Sequence, residues 1–472
     1  MARALKPFSF ADWELSRQGV RLEPVLQAIA DFLSGHDELI AAIGGDLRAG
    51  LKQPNMGRTG LSPEQVLRSL VLMRVKDWDY RELRERIADG YTLRQFTEFY
   101  CQPVPRHDAF HRAFTRLTPK TLKAVNELVV RAAVELGLED GKKLRVDSTV
   151  VQTDIHHPTD NTLLWDVVRV VTRLVLRLQK AIKPRRIKRF RKRTRAAHRR
   201  MYEIQRMTTR QRFTQQKNTY RALLKITEEV LASARDVLGQ TTNARGKTLH
   251  DGIAIDALRE EIEHYCELGD RVIDQTRRRV IAGESVPSDD KLYSIFEPHT
   301  DLIKRGKIVT PIEFGHKVFL AESAQGLITQ YEVLSGNPVD ENHVKTSLKR
   351  HRRTFGGAPE LYSSDRGFFS EQNLAACAND GVKVVCIPQR GGHKTPERAA
   401  FEKSAPFKQG QRFRAGVEGR ISVLMRGRGM KRCRAEGHQR FELFVAAAVL
   451  ANNLMRIATL LENASRRRRR AA

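Results

Sequence analysis

Asp147, Asp365 and Glu418 are the residues of this sequence whose type and setting could support metal chemistry. Asp147 interrupts the apolar, β-branched run Leu144, Val146, Val150 and Val151, and a carboxylate inside an apolar strand is costly unless it is paired or bound to a cation. Asp365 follows Leu361-Tyr362-Ser363-Ser364 and precedes Arg366-Gly367, a strand end opening into a loop, which is where α/β sheets hold ligands. Glu418 lies at the edge of a helical face formed by Val417, Ile421 and Leu424, with Arg414 one turn earlier and able to reach a phosphate. Together three hard carboxylates could hold two divalent cations roughly 3.5–4 Å apart, the arrangement that exchanges phosphodiester bonds without a covalent cofactor. Singly, each acid has an ordinary role open to it: a satisfied core residue for Asp147, a turn former for Asp365, an ion-pair partner of Arg414 for Glu418. Asp154 is a rival in the first strand, but it lies an odd seven residues from Asp147 and so faces the other side.

The elements that would position these residues follow from periodicity. Helical patterns fill residues 24–137: Ser62-Pro63-Glu64-Gln65 reads as a capped start with Val66, Leu70 and Met73 on one face, followed by helices at 80–87, 93–100, 108–117 and 120–136. Such a cluster of short helices suits a helix-turn-helix type DNA-binding domain over 1–140, or a plain helical bundle. A strand over 143–151 opens a second domain. From Leu163 a helical period returns, with Arg169, Arg173 and Arg177 as an arginine stripe, and residues 160–290 read as an all-helical insertion with Pro184 as a break. Strand signals resume at Ile308-Val309, at 317–321 and at 327–334 as a hairpin. Strand and helix then alternate through 342–353, 360–364, 371–379 and 382–388. The predicted fold is α/β, a mixed sheet with flanking helices over 141–465, joined to the N-terminal helical domain and carrying the insertion.

Charge narrows the partner. The 472 residues hold 84 Lys or Arg against 55 Asp or Glu, a net charge of +29, which calls for a polyanion. Between Asn161 and Gln240, 22 Lys or Arg stand against 5 Asp or Glu, so more than half of the excess lies in the insertion. One-signed density repels itself unless neutralised, and Arg185, Arg186, Lys188, Arg189, Arg191, Lys192 and Arg193 are the expected phosphate contacts. The run Arg466–Arg470 is expected to be a disordered basic tail, residues 466–472. The apolar stretch 443–461 is broken by Asn452, Asn453 and Arg456, which suits a buried helix better than a membrane span, and the N-terminus lacks the apolar core of an export signal. Five scattered cysteines without paired spacing read as reduced thiols. No G-x-x-x-x-G-K-[ST] pattern is present, so ATP use is not expected.

The motifs Arg145-Val146-Asp147-Ser148-Thr149, Ser294 to Thr300 through Lys304 to Lys307, Phe314-Gly315-His316-Lys317, Ser364-Asp365-Arg366-Gly367 and Arg414-Ala415-Gly416-Val417-Glu418 make the chain resemble DDE transposases of bacterial insertion sequences, most closely the group called ISNCY. The resemblance extends over essentially the whole chain. It implies a ribonuclease-H-like catalytic domain in which Asp147, Asp365 and Glu418 hold Mg²⁺, or Mn²⁺ as an alternative. It further implies double-stranded DNA as partner, both element ends and target, with water cutting at the ends and the freed 3′-hydroxyl joining to target. A homodimer pairing two ends, no membrane, and a bacterial cytoplasmic, nucleoid-associated location are part of the same expectation. Related transposases often carry a tyrosine three residues before the arginine of the last motif and a lysine seven after the glutamate. Here those positions hold Gln411 and Met425, with Arg426 as the neighbouring cation. His316 and Lys317 are given no catalytic role, and His156-His157 is a weak metal signal. A metal-dependent nuclease on the same fold and a catalytically inactive DNA-binding remnant are the other readings.

Overall fold

The computed structural model describes residues 10–52, 60–182, 190–242, 248–304 and 312–471. The chain divides into two compact units, one formed by residues 1–152 with 316–472 and the other by residues 153–315.

In the first unit, strand β1 (Lys143–Thr153) supplies the central rail. It follows from the β-branched run around Asp147, and most of its side chains are buried. With β2 as Asp301–Lys304 in the other unit, β3 is Ile312–Ser323, β4 Ile328–Val333, β5 Leu361–Ser363, β6 Val384–Cys386 and β7 Arg432–Cys433. Neighbours within this unit run β3-β1-β5-β6, with β4 on β3 and β7 on β1. The β3–β4 hairpin is antiparallel, whereas β1, β5 and β6 are mutually parallel, so the sheet is mixed. β5 and β6 are shorter than the runs expected at 360–364 and 382–388. The strand expected at Ile308-Val309 lies outside the described residues.

The N-terminal helices do not stand apart from this sheet. Leu26, Ile29, Val66, Leu70, Phe110 and Val129 share one apolar core with Val151, Val318, Ile328 and the C-terminal helix His438–Ala471. Packing therefore runs across the expected boundary near residue 140. Ser62 and Gln65 form the anticipated reciprocal cap, with Gln65 N donating to Ser62 Oγ at 3.1 Å and Ser62 N to Gln65 Oε1 at 3.0 Å. The helix they start, Pro63–Lys76, is buried on nearly every side rather than along a single stripe. Even Arg68 is enclosed, held by Glu64 at 2.9 Å, Glu98 at 3.6 Å and Ser34 Oγ at 2.8 Å. A helix enclosed on all sides cannot enter a DNA groove.

The C-terminal helix is long and apolar enough to cross a membrane, but about two thirds of its most apolar window is buried inside the protein. Its polar interruptions have internal partners. Asn453 accepts from Ile328 N at 2.8 Å and donates to Ile328 O and to Asn126 Oδ1, each at 2.8 Å. The helix continues to Ala471, so the expected disordered tail is, as backbone, its last turns. A strong helix former such as arginine extends an established helix at little cost.

The second unit is a helical bundle built on Asp160–Ile182, Thr194–Gln205, Thr209–Thr241 and Leu249–Thr276. Leu164, Val167, Val171, Leu174 and Leu178 bury the inner face of the first helix, and Arg169, Arg173 and Arg177 stand exposed opposite, as the periodicity requires. Thr208 with Gln211 and Thr248 with Asp251 cap the last two helices. The unit also contains β2, which pairs antiparallel with Ile312–Gly315 and was not anticipated.

Candidate active site

β1 and β5 run parallel with Lys143 opposite Leu361, Leu144 opposite Tyr362 and Arg145 opposite Ser363. Continued two residues beyond its last pair, this register leads Asp147 toward Asp365, which lies near enough for its charge to act on the Asp147 carboxyl. Two carboxylates far apart in sequence are thus led toward each other because both strands run the same way.

The helix Ala405–Ser422 covers that face. Gly410 and Gly416 allow the approach: a Cβ at Gly410 would collide with Cys386 Sγ, and one at Gly416 with the Arg145 guanidinium. Ser363 Oγ donates to Gly410 O at 2.9 Å, and Arg145 Nη1 donates to Phe413 O at 2.6 Å while its guanidinium lies 4.7 Å from the Phe413 ring centroid. Arg145 is anchored on its other side by Glu322, which is fully buried and accepts from Arg145 Nε at 2.8 Å and from Arg420 Nε at 2.9 Å. Glu322 therefore ties β3, β1 and the covering helix together, a role that no local pattern in the sequence announces.

This clamp sets where Arg414 and Glu418 lie. Arg414 Nη2 donates to Asp147 Oδ2 at 3.0 Å and Nη1 to Glu418 Oε1 at 3.1 Å, so a single guanidinium joins the first and third acids. Asp147 Oδ1 accepts from Ser148 N at 2.8 Å, and Asp365 Oδ1 from Gly367 N at 2.8 Å, which caps the short turn Arg366–Phe368. Asp147 is 8 % exposed, whereas the Glu418 side chain is 67 % exposed.

A further acid, Asp340, belongs to this neighbourhood without any motif in the sequence pointing to it. It begins the turn Asp340–His343, pairs with Lys317 Nζ at 2.9 Å, and lies near Gly367 alongside Asp365. Its position comes from the turn after β4, and the one available signal was Lys317, whose partner the motif left unnamed. Burial drives the Asp147 carboxyl up to about 6. Arg414 opposes the rise, while the charges of Asp365 and Asp340 add to it.

Among the described residues, no three His, Cys, Asp or Glu side chains form a ready-made cation cage. Arg414 holds Asp147 and Glu418 in its place. The donor chemistry nonetheless fits a divalent cation: the oxygens are hard, and the acids around Asp147 leave its charge under-compensated.

The remaining expected residues scatter. Arg426 is exposed on the π-turn Val423–Gly427 and pairs with none of the three acids among the described residues. Met425 packs on the apolar core, and Gln411 donates to Cys386 O at 2.7 Å and Ser364 O at 3.3 Å, tying the covering helix to the strand ends. Both non-consensus positions thus have internal work. His316 is buried, its ring 4.8 Å edge-on to Phe441, as expected of a structural histidine. His156 pairs with Asp166 at 2.7 Å. In the insertion, Arg191 and Lys192 are exposed, whereas Arg193 pairs with Glu229. Arg185, Arg186, Lys188 and Arg189 lie outside the described residues.

Residues 312–454 match the family model described as Transposase DDE domain. The matched segment contains Asp365, Arg414 and Glu418 and begins beyond Asp147, which Arg414 links to Glu418. No curated protein and no solved structure matches the chain. The family match supports a DDE transposase.

Proposed function

We propose that the chain is an ISNCY-like transposase of an insertion sequence that binds terminal inverted repeats, cuts DNA at the element ends and joins the freed 3′-hydroxyl to target DNA. The observation that supports this reading is the Arg414 guanidinium joining Asp147 to Glu418, with Asp365 near enough for its charge to act on Asp147.

Divalent cations, Mg²⁺ or Mn²⁺, held by Asp147 and Asp365 and completed by Glu418, would supply activation of the attacking oxygen and stabilisation of the leaving oxygen. Arg414 keeps the two acids apart in charge until DNA arrives, then turns to a phosphate, since one guanidinium can serve carboxylate or phosphate with the same fork. The Glu322–Arg145 clamp holds the covering helix on β1, and Arg414 on that helix bonds both Asp147 and Glu418. Lys317 holds Asp340 beside the site. The exposed arginines of the insertion supply backbone contacts, and a dimer in the bacterial cytoplasm would pair two ends.

The test is purified protein with labelled DNA from the ends of its own element, with Mg²⁺ or EDTA, comparing wild type with Asp147→Asn. Metal-dependent cutting and joining, lost in the variant, is the expected result. Cutting with no joined product points to a nuclease, and binding without cutting to a remnant.

A further inference from the structure

We infer that the groove between the helix Thr194–Gln205 and the start of the helix Thr209–Thr241 binds an unpaired DNA strand. This deepens the function proposed above and rests on it for the identity of the polyanion. One wall carries Arg195, Arg199 and Arg206, and the facing wall presents Gln211 and Gln215. Among the described lining residues the only acid is Glu203, which is engaged by Arg200 at 2.6 Å and Arg199 at 3.9 Å. Arg195 has no carboxylate partner among the described residues, so its charge is left for an external anion.

Cationic density alone would suit any polyanion. The aromatic groups make the choice. His198, Tyr202 and Arg206 recur every fourth residue and line up along one helix face. The His198 ring lies 4.6 Å from Tyr202 and 4.9 Å from Trp165, and the Arg206 guanidinium 5.4 Å from the Tyr202 ring. Tyr202 is 42 % exposed, although a tyrosine with free choice would bury its ring. A duplex buries the faces of its bases and presents only their edges, so an exposed ring flanked by arginines is of use to a strand whose bases are unstacked. The amide of Gln215 opposite would meet base edges, whereas the Gln211 amide oxygen is held in its own helix cap by Thr208. In the reaction proposed above only the freed 3′-hydroxyl is joined, so the other strand at each end is left unjoined and gives the groove an occupant.

Fluorescence anisotropy of the full chain with labelled oligothymidine, and separately with a duplex at the same salt, tests this. Tyr202→Ala should weaken single-strand binding about tenfold, equivalent to about 1.4 kcal/mol, and leave duplex binding within about twofold. Tyr202→Phe, which keeps the ring, should stay within about twofold of wild type. Arg195→Ala should lower the salt slope for the single strand by about 0.7. Equal losses on both DNA forms, or a loss in Tyr202→Phe as large as in Tyr202→Ala, would overturn the proposal. Wild type that ignores oligothymidine would overturn it too, while leaving cleavage at element ends to be judged by its own assay. Conversely, single-strand binding by a protein that cuts nothing would sink only the catalytic reading.

Discussion

Asp147 shows how a single residue can be stabilised by the fold and still remain chemically unsatisfied. Ser148 N and Arg414 occupy its two oxygens, yet burial and the neighbouring acids hold its carboxyl near 6. Asp365 is less confined, and the bond its carboxylate makes to the backbone, from Gly367 N, is local to a three-residue turn, so its loss on truncation stays at that turn. Asp365→Ala is therefore expected to abolish cleavage while leaving end binding unchanged, because ligation of a cation and phosphate contact are separate contributions. A gel assay for cutting and one for binding on the same substrate decide it, and undiminished cutting would remove Asp365 from the site. Far from the acids, His351 is 1 % exposed and stacks on Phe355 at 4.5 Å, and burial pushes its imidazole down to about 4. Its folded value lies below the unfolded one, so its contribution is intact above about pH 6.5 and is lost as pH falls toward 4. Urea unfolding across that window should show wild type losing up to about 3 kcal/mol more than His351→Leu.

At the scale of elements, the covering helix matters most. Two glycines let it lie against β1 and the strand ends, and Glu322 pins the arginine wedged between them. Gly416→Ala would force the Arg145 guanidinium out of its bonds to Glu322 and Phe413 O. Thermal unfolding should report a loss of about 1–3 kcal/mol, with slower cleavage because Glu418 moves with the helix. Wild-type stability in that variant would mean that Arg145 can relax freely. Glu322→Gln leaves two half-buried arginines facing a neutral amide at a fully buried position, and a destabilisation of about 3 kcal/mol is expected in the same experiment. Gln411 and Met425, the two departures from the related pattern, serve as a strand-end tie and as core packing. Neither position disturbs the link between Asp147, Arg414 and Glu418.

For the whole molecule, the charge excess is concentrated in the insertion, where Arg169, Arg173, Arg177, Arg191 and Lys192 face outward. Neutralising Arg191 and Lys192 together is expected to weaken DNA binding and to reduce its salt slope by about 0.9 for each phosphate that is no longer neutralised. Binding isotherms at several salt concentrations measure this, and an unchanged slope would return these residues to a plain solvated surface. In the other unit, the N-terminal helices and the C-terminal helix bury one another against the β3–β4 hairpin. An excised N-terminal segment would expose that apolar surface, so its DNA binding is best assayed in the full chain.

Several features were decided by the sequence alone. The β-branched run makes β1, the Ser62–Gln65 cap starts its helix, the 3.6-residue period with an arginine stripe makes the first helix of the insertion, and the placement of Asp147, Asp365 and Glu418 marks them as candidates. These depend on neighbours a few residues apart, whose geometry periodicity and capping dictate. Other features arose only from tertiary structure. The β1–β5 register leads Asp147 toward Asp365, a turn beyond β4 adds Asp340, Glu322 becomes the anchor of a helix nearly one hundred residues away, and Pro63–Lys76 is enclosed rather than exposed. Each depends on packing between distant segments, and a charged residue carries no local mark of whether its partner will be water, a metal or a buried arginine.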